Sequence, residues 1–118
     1  MYGLPANVNL DFFRGQRLIQ VCIGANDCIL RFDNGLSILI TSAVGWMESD
    51  GTYRRSEDFR QAAVYLVGLL DRIVESARDA SGGTLNVEFR DGGGLDIYDD
   101  SKQFESYVIT CGSKQIVV

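Results

Sequence analysis

The run from Cys28 to Thr41 (Cys-Ile-Leu-Arg-Phe-Asp-Asn-Gly-Leu-Ser-Ile-Leu-Ile-Thr) limits the fold more than any other stretch of the chain. Two apolar segments flank Asp33-Asn34-Gly35. Asn-Gly tolerates positive φ at both centres of a two-residue turn, so the run predicts a β-hairpin. Cys28, Leu30 and Phe32 share one face of the first arm, and Leu36, Ile38 and Ile40 alternate along the second. One side of this hairpin needs a core; the other is mixed.

The same order of residues returns at 85–98. Leu85, Val87 and Phe89 stand where Cys28, Leu30 and Phe32 stood. A longer turn through Gly92-Gly93-Gly94 follows, and then Leu95 and Ile97. The expectation is a duplicated unit, with pseudo-repeat halves at about 9–50 and 56–118. The predicted class is α+β: predominantly antiparallel β, two β-meanders sharing one core, and one main α-helix packed on the sheet. At 118 residues the chain predicts a single domain, 1–118.

Between the hairpins the chain reads in order. Asn9 caps a short helical turn that ends at Gly15. Residues 17–23 form a strand with Ile19, Val21 and Ile23 on one face. Ser56-Glu57-Asp58 starts the main helix, with Ser56 as the capping hydroxyl. Helical periodicity alone would carry that helix to Arg78. If Gly68 takes the place of Gly15, the helix ends near Gly68 and a strand runs over about 71–77, which is the prediction adopted. A loop at 79–83 then leads into the second hairpin. Residues 104–110 read as a strand with Phe104, Ser106, Val108 and Thr110 on one face, and Gln115–Val118 as a short terminal strand. Such a strand at a sheet edge can pair with a second chain, so a homodimer through an edge strand is expected.

The composition excludes several chemistries. There is no histidine, which removes Ser-His-Asp and Cys-His pairs and an ordinary zinc site. Three cysteines, Cys22, Cys28 and Cys111, have no metal-ligand spacing and read as free thiols. Gly92-Gly93-Gly94 precedes a strand instead of a helix, so it is a turn and not a phosphate loop. Asp33 and Asp91 flank turns, where aspartate bonds its own backbone. No catalytic residue, cofactor or metal ligand is assigned, and the chain is expected not to be an enzyme. The formal charge of −5 disfavours nucleic acid as a partner. No basic leader and no membrane-length apolar run are seen, so a cytoplasmic protein is expected.

An acidic chain suits a basic protein partner. The predicted partner-binding residues are Glu48, Asp50, Asp99, Asp100 and Glu105 as charge complement, with Trp46 and Tyr53 as anchors. Trp46 is also the chain's lone tryptophan, and a core position is the better reading for such a residue.

Several stretches together resemble a family of small bacterial proteins, some of them encoded beside secreted polymorphic or contact-dependent toxins. They are Leu18-Ile19-Gln20-Val21-Cys22-Ile23-Gly24, Leu30-Arg31-Phe32-Asp33-Asn34-Gly35, Leu69-Leu70 after Gly68, and Phe104-Glu105-Ser106-Tyr107-Val108-Ile109. Tyr107 stands where tryptophan is common in the family's Phe/Tyr-Glu-Ser-aromatic strand. The resemblance implies a non-enzymatic immunity protein or antitoxin that masks a toxin. The alternatives are a small-ligand or nucleotide-binding accessory protein with a pocket between the two meanders, or an oligomerising subunit of a bacterial defence complex.

Overall fold

The Asn34-Gly35 turn forms as its chemistry requires, with φ of +59° and +77° at its two central residues. It joins β2 (Cys28–Phe32) to β3 (Leu36–Ile40), with Cys28 opposite Ile40 and Leu30 opposite Ile38. These four side chains are buried. The computed structural model describes residues 3–5, 8–100 and 105–118. Among them lie one 3-10 turn (Asp11–Phe13), one α-helix, α1 (Phe59–Gly68), and ten strands. The remaining strands are β1 (Leu18–Ile23), β4 (Val44–Met47), β5 (Tyr53–Ser56), β6 (Val74–Ser81), β7 (Thr84–Phe89), β8 (Gly94–Ile97), β9 (Tyr107–Cys111) and β10 (Lys114–Val117).

The strands make two antiparallel five-stranded sheets, ordered β1-β2-β3-β9-β10 and β5-β4-β8-β7-β6. Neither sheet is built from one half of the sequence. β4 and β5 join the later meander, and β9 and β10 return to the earlier one. Backbone bonds from Gly15 N to Val74 O (2.9 Å) and from Leu18 N to Arg72 O (3.0 Å) tie the sheets at one corner. Alternate side chains of both sheets enter a single hydrophobic cluster, joined by Phe59, Ala62 and Leu66 of the helix. Each large side chain so buried contributes about 2 kcal/mol. This cluster fills the space between the meanders, where the alternative small-ligand reading would put its pocket. The Tyr107 hydroxyl crosses from the first sheet to donate to Gly83 O at 2.5 Å.

The helix ends at Gly68, as the repeat argument predicts and periodicity alone does not, while the strand after it runs over Val74–Ser81 and not over 71–77. The left-handed residue after the helix is Asp71 (φ +71°). The N-cap is Asp58, whose carboxylate accepts from Arg60 N at 3.0 Å; Ser56 Oγ accepts two positions earlier, from Asp58 N. β6 continues through Ser81, which shrinks the expected 79–83 loop to Gly82-Gly83.

One expected face is corrected. A register shift between Leu18 and Gln20 breaks the alternation of β1, so Leu18 is buried while Ile19 is 56% exposed. In β9 the inward residues are Tyr107 and Ile109, the face opposite Val108 and Thr110, and the Tyr107 hydroxyl reaches Gly83. Phe104 lies outside the described residues. Val118 is buried, its N–H donating to Tyr107 O at 2.9 Å. Among the described residues no helix is long and apolar enough to cross a membrane.

Candidate protein-binding face

The outer side of the second sheet collects the residues that the core does not use. On β4, Val44 and Trp46 point inward, so Gly45 and Met47 lie outward. Cross-strand register then places Asp96 beside Gly45 and Asn86 beside Asp96, and on β5 it sets Tyr53 opposite Met47 and Arg55 opposite Gly45. Glu88 of β7 pairs with Gly94 of β8 on the same side.

Two glycines shape this face. A Cβ on Gly45 would collide with the Tyr53 hydroxyl, and one on Gly94 would collide with the Glu88 carboxylate. Each lets a long neighbour fold across its strand. Tyr53 donates to Asp96 Oδ2 at 2.7 Å and its hydroxyl also contacts that of Tyr98. Burial, then the hydrogen bonds to Tyr98 and Asp96, hold the Tyr53 phenol well above its ordinary pKa, so it remains a donor. Asn86 Nδ2 donates to Asp96 Oδ1 at 2.9 Å and to Glu88 Oε1 at 3.1 Å. One amide thus fixes two carboxylates on adjacent strands. The Arg55 guanidinium stacks 4.2 Å from the Tyr98 ring centroid and pairs with Asp100. Between these groups is a cleft of about 450 Å³, with Gly45, Gly94, Met47, Tyr53, Glu88 and Asp96 among its lining.

The structure distributes the predicted binding residues unequally. Tyr53 (44% exposed) belongs to this face, and Asp100 stands at its margin against Arg55. Trp46 and Glu48 also line the cleft, but Trp46 is almost wholly covered. It is 3% exposed, stacks on Tyr65 of the helix with centroids 6.1 Å apart, and donates from Nε1 to Glu48 Oε1 at 2.9 Å. Its size and apolar ring make it core, as a lone Trp suggests. Glu48 also faces Arg54 Nε at 3.1 Å. Asp50 lies in the exposed β4–β5 turn and accepts from Thr52 N, which holds its carboxyl below the usual range. Asp99 accepts from Ser106 Oγ at 2.8 Å, away from the cleft. Glu105 is exposed, and its carbonyl accepts from the Thr41 hydroxyl at 2.6 Å.

Met47, Asn86, Glu88, Asp96 and Tyr98 are not among the binding residues predicted from the sequence. Their signal was present in the alternation of the second hairpin. With Leu85, Val87, Leu95 and Ile97 committed to the core, the residues between them face outward. Which of those meet across strands depends on β4 pairing with β8, a long-range contact that no local pattern specifies.

Among the described residues no three potential metal-ligating side chains converge. Compared with protein-family models, with curated proteins and with solved structures, the chain finds no match in any of the three.

Proposed function

We propose that the protein is a non-enzymatic binding module of the cytoplasm, an immunity protein or antitoxin that neutralises a basic, nuclease-type bacterial toxin by masking its active site. The observation that carries this reading is the cleft of the second sheet. Glu48 and Asp100 are matched by Arg54 and Arg55, whereas Glu88 and Asp96 are oriented by the neutral donors of Asn86 and Tyr53. Two carboxylates held this way can accept from a lysine or arginine of a partner through charge-assisted bonds. Tyr53 and Met47 supply apolar contact beside them. A toxin that grips substrate phosphate with Lys and Arg presents the complementary surface, and the net charge of −5 favours its approach.

We also read the chain as two copies of one unit. What supports this is the order of the sheets, in which each half lends its last two strands to the other half's meander.

The test is capture from the native host followed by titration of the captured partner. Glu88→Gln with Asp96→Asn should weaken binding by at least about tenfold, as expected for charge-assisted bonds. Affinity for the wild type should fall as salt rises. Capture of no basic protein, or binding indifferent to both salt and the double substitution, would remove the reading.

A further inference from the structure

The outer faces of the two sheets differ in kind. Across the second sheet the register lines up Arg55, Gly45, Asp96, Asn86 and Arg78, one from each strand, and water suits that row. Across the first sheet it lines up Cys22, Ile29, Leu39, Val108 and Val117, and every member is apolar. On β2, β3, β9 and β10 the member sits between two buried neighbours, which puts the row on the side away from the core. Cys22 joins it as the cross-strand partner of Ile29. Leu39 is 36% exposed and Val117 38%, and the other three are half-buried. Single exposed apolar side chains need no explanation, but a line of them through all five strands marks a face that packs against something.

The charges beside this row say what that something is. The next row towards the β2–β3 turn is Gln20, Arg31, Ser37, Thr110 and Gln115, in which Arg31 is the one charge. On the other side, two residues before Ile29, stands Asp27. Its carboxylate lies where a Cβ of Gly24 would point, and alternation puts that position on the same side as Cys22. Arg31 and Asp27 are both exposed, and neither makes an ion pair among the described residues. Ile29 therefore has an unpaired cation two residues to one side and an unpaired anion two residues to the other.

We propose that a second copy of this chain covers the face, sheet against sheet, about a two-fold axis that runs along the apolar row. Such an axis keeps each strand over its own counterpart and reverses the direction along it. The two apolar rows then pack on each other, and Arg31 of each copy lies over Asp27 of the other. The patch is complementary to itself, in charge as well as in polarity. An axis along the strands would instead set Arg31 over Thr110 and leave both charges without a partner. Packed sheets lie about 10 Å apart, a gap that arginine and aspartate side chains span together. Five strands make the row only about 20 Å long, so the contact belongs with the smaller, reversible interfaces and the dimer depends on concentration. The face shares no residue with the cleft of the second sheet.

Light scattering on the full chain, from micromolar to millimolar concentration, reads the state directly. The mass should rise from the 13.0 kDa of one chain towards twice that value. Leu39→Lys, checked for folding by circular dichroism, should keep the single-chain mass throughout. Val64→Lys, on the exposed side of the helix, should dimerise like the wild type. Charge reversal tests the axis. Arg31→Asp and Asp27→Arg each set like charges face to face and should each weaken the dimer by at least about tenfold. The two together should restore it. A single-chain mass at every concentration would overturn the proposal and leave the face to a different partner. So would a dimer that survives Leu39→Lys, one that Val64→Lys dissolves, or a double reversal that associates no better than either single one. Should Leu39→Lys fail to fold, the reversal decides, since both of its positions are exposed.

Discussion

Cys28 is fully buried opposite Ile23 and Ile40, and its thiol is pushed up to about 12, first by burial and then by the neighbouring Cys22 and Asp27. The ordinary value is 9.0, so in alkali the unfolded chain gives up this proton before the folded chain does. The folded state then binds more protons than the unfolded state, and stability falls with rising pH. The contribution is complete below pH 9.0 and is lost as the pH climbs towards about 12. The slope approaches about 1.4 kcal/mol per pH unit. Urea unfolding of Cys28→Ala should start from a lower stability, since a buried atom is lost, yet decline less steeply across that window. The phenols of Tyr53 and Tyr107 are also held high, and their share is common to both proteins. Equal slopes for wild type and variant would show that the thiol is not responsible. Burial of Cys28 was legible from the sequence because it opens the apolar face of a strand fixed by its turn. The surroundings of Trp46 were not, since its place against Tyr65 depends on where the helix lies.

Turns decided most of the elements that were legible. Asn34-Gly35 fixed the register of the first hairpin, and the strand faces followed from it. Where a strand carried a register shift, alternation misled: Ile19 was expected to share a face with Val21 and Ile23, and it is 56% exposed beside the shift. The end of the helix was legible only by comparing the two halves, because Ile73, Val74 and Ala77 continue a helical spacing while Ile73 bridges to Arg17 and β6 holds Val74 and Ala77 by pairing with β7. The β6–β7 turn offers a test of what makes such elements hold. Gly82 and Gly83 both have positive φ, +57° and +84°. A Cβ on Gly82 meets nothing within 4 Å, whereas one on Gly83 would lie 2.7 Å from Asp99 Oδ2 and 3.1 Å from Gly3 Cα. Gly82→Ala therefore costs about 1 kcal/mol of backbone strain. Gly83→Ala adds a collision with backbone and should cost about 2 kcal/mol more. It also moves the carbonyl that Tyr107 bonds. Thermal unfolding should separate the two variants clearly; similar melting temperatures would mean that backbone conformation alone matters at this turn.

Across the whole molecule, the composition and the two hairpins foretold an antiparallel protein with one main helix, but not how its halves are joined. Local patterns specify strands; the partner of an outer strand is chosen by which pairing closes the core. Here β4 and β5 lie with β6–β8, and β9 and β10 lie with β1–β3, so every sheet needs residues from both ends of the chain. Val118, at the very end, is buried and is bonded to Ser106 and Tyr107. The chain should therefore unfold as one unit, and no cut between β5 and α1 should leave a piece with a complete sheet. Fragments 1–57 and 58–118, made separately, should each lack the cooperative transition of the intact protein. Each would expose the apolar edge that its missing strands normally cover. Mixed in equal amounts, they should recover the intact circular-dichroism spectrum and a single unfolding transition, because all the pairings then become available across the cut. A fragment that folds cooperatively as a monomer would show that its own last two strands can close its own meander. The exchange of strands would then be a preference of the intact chain, and the core would not require it.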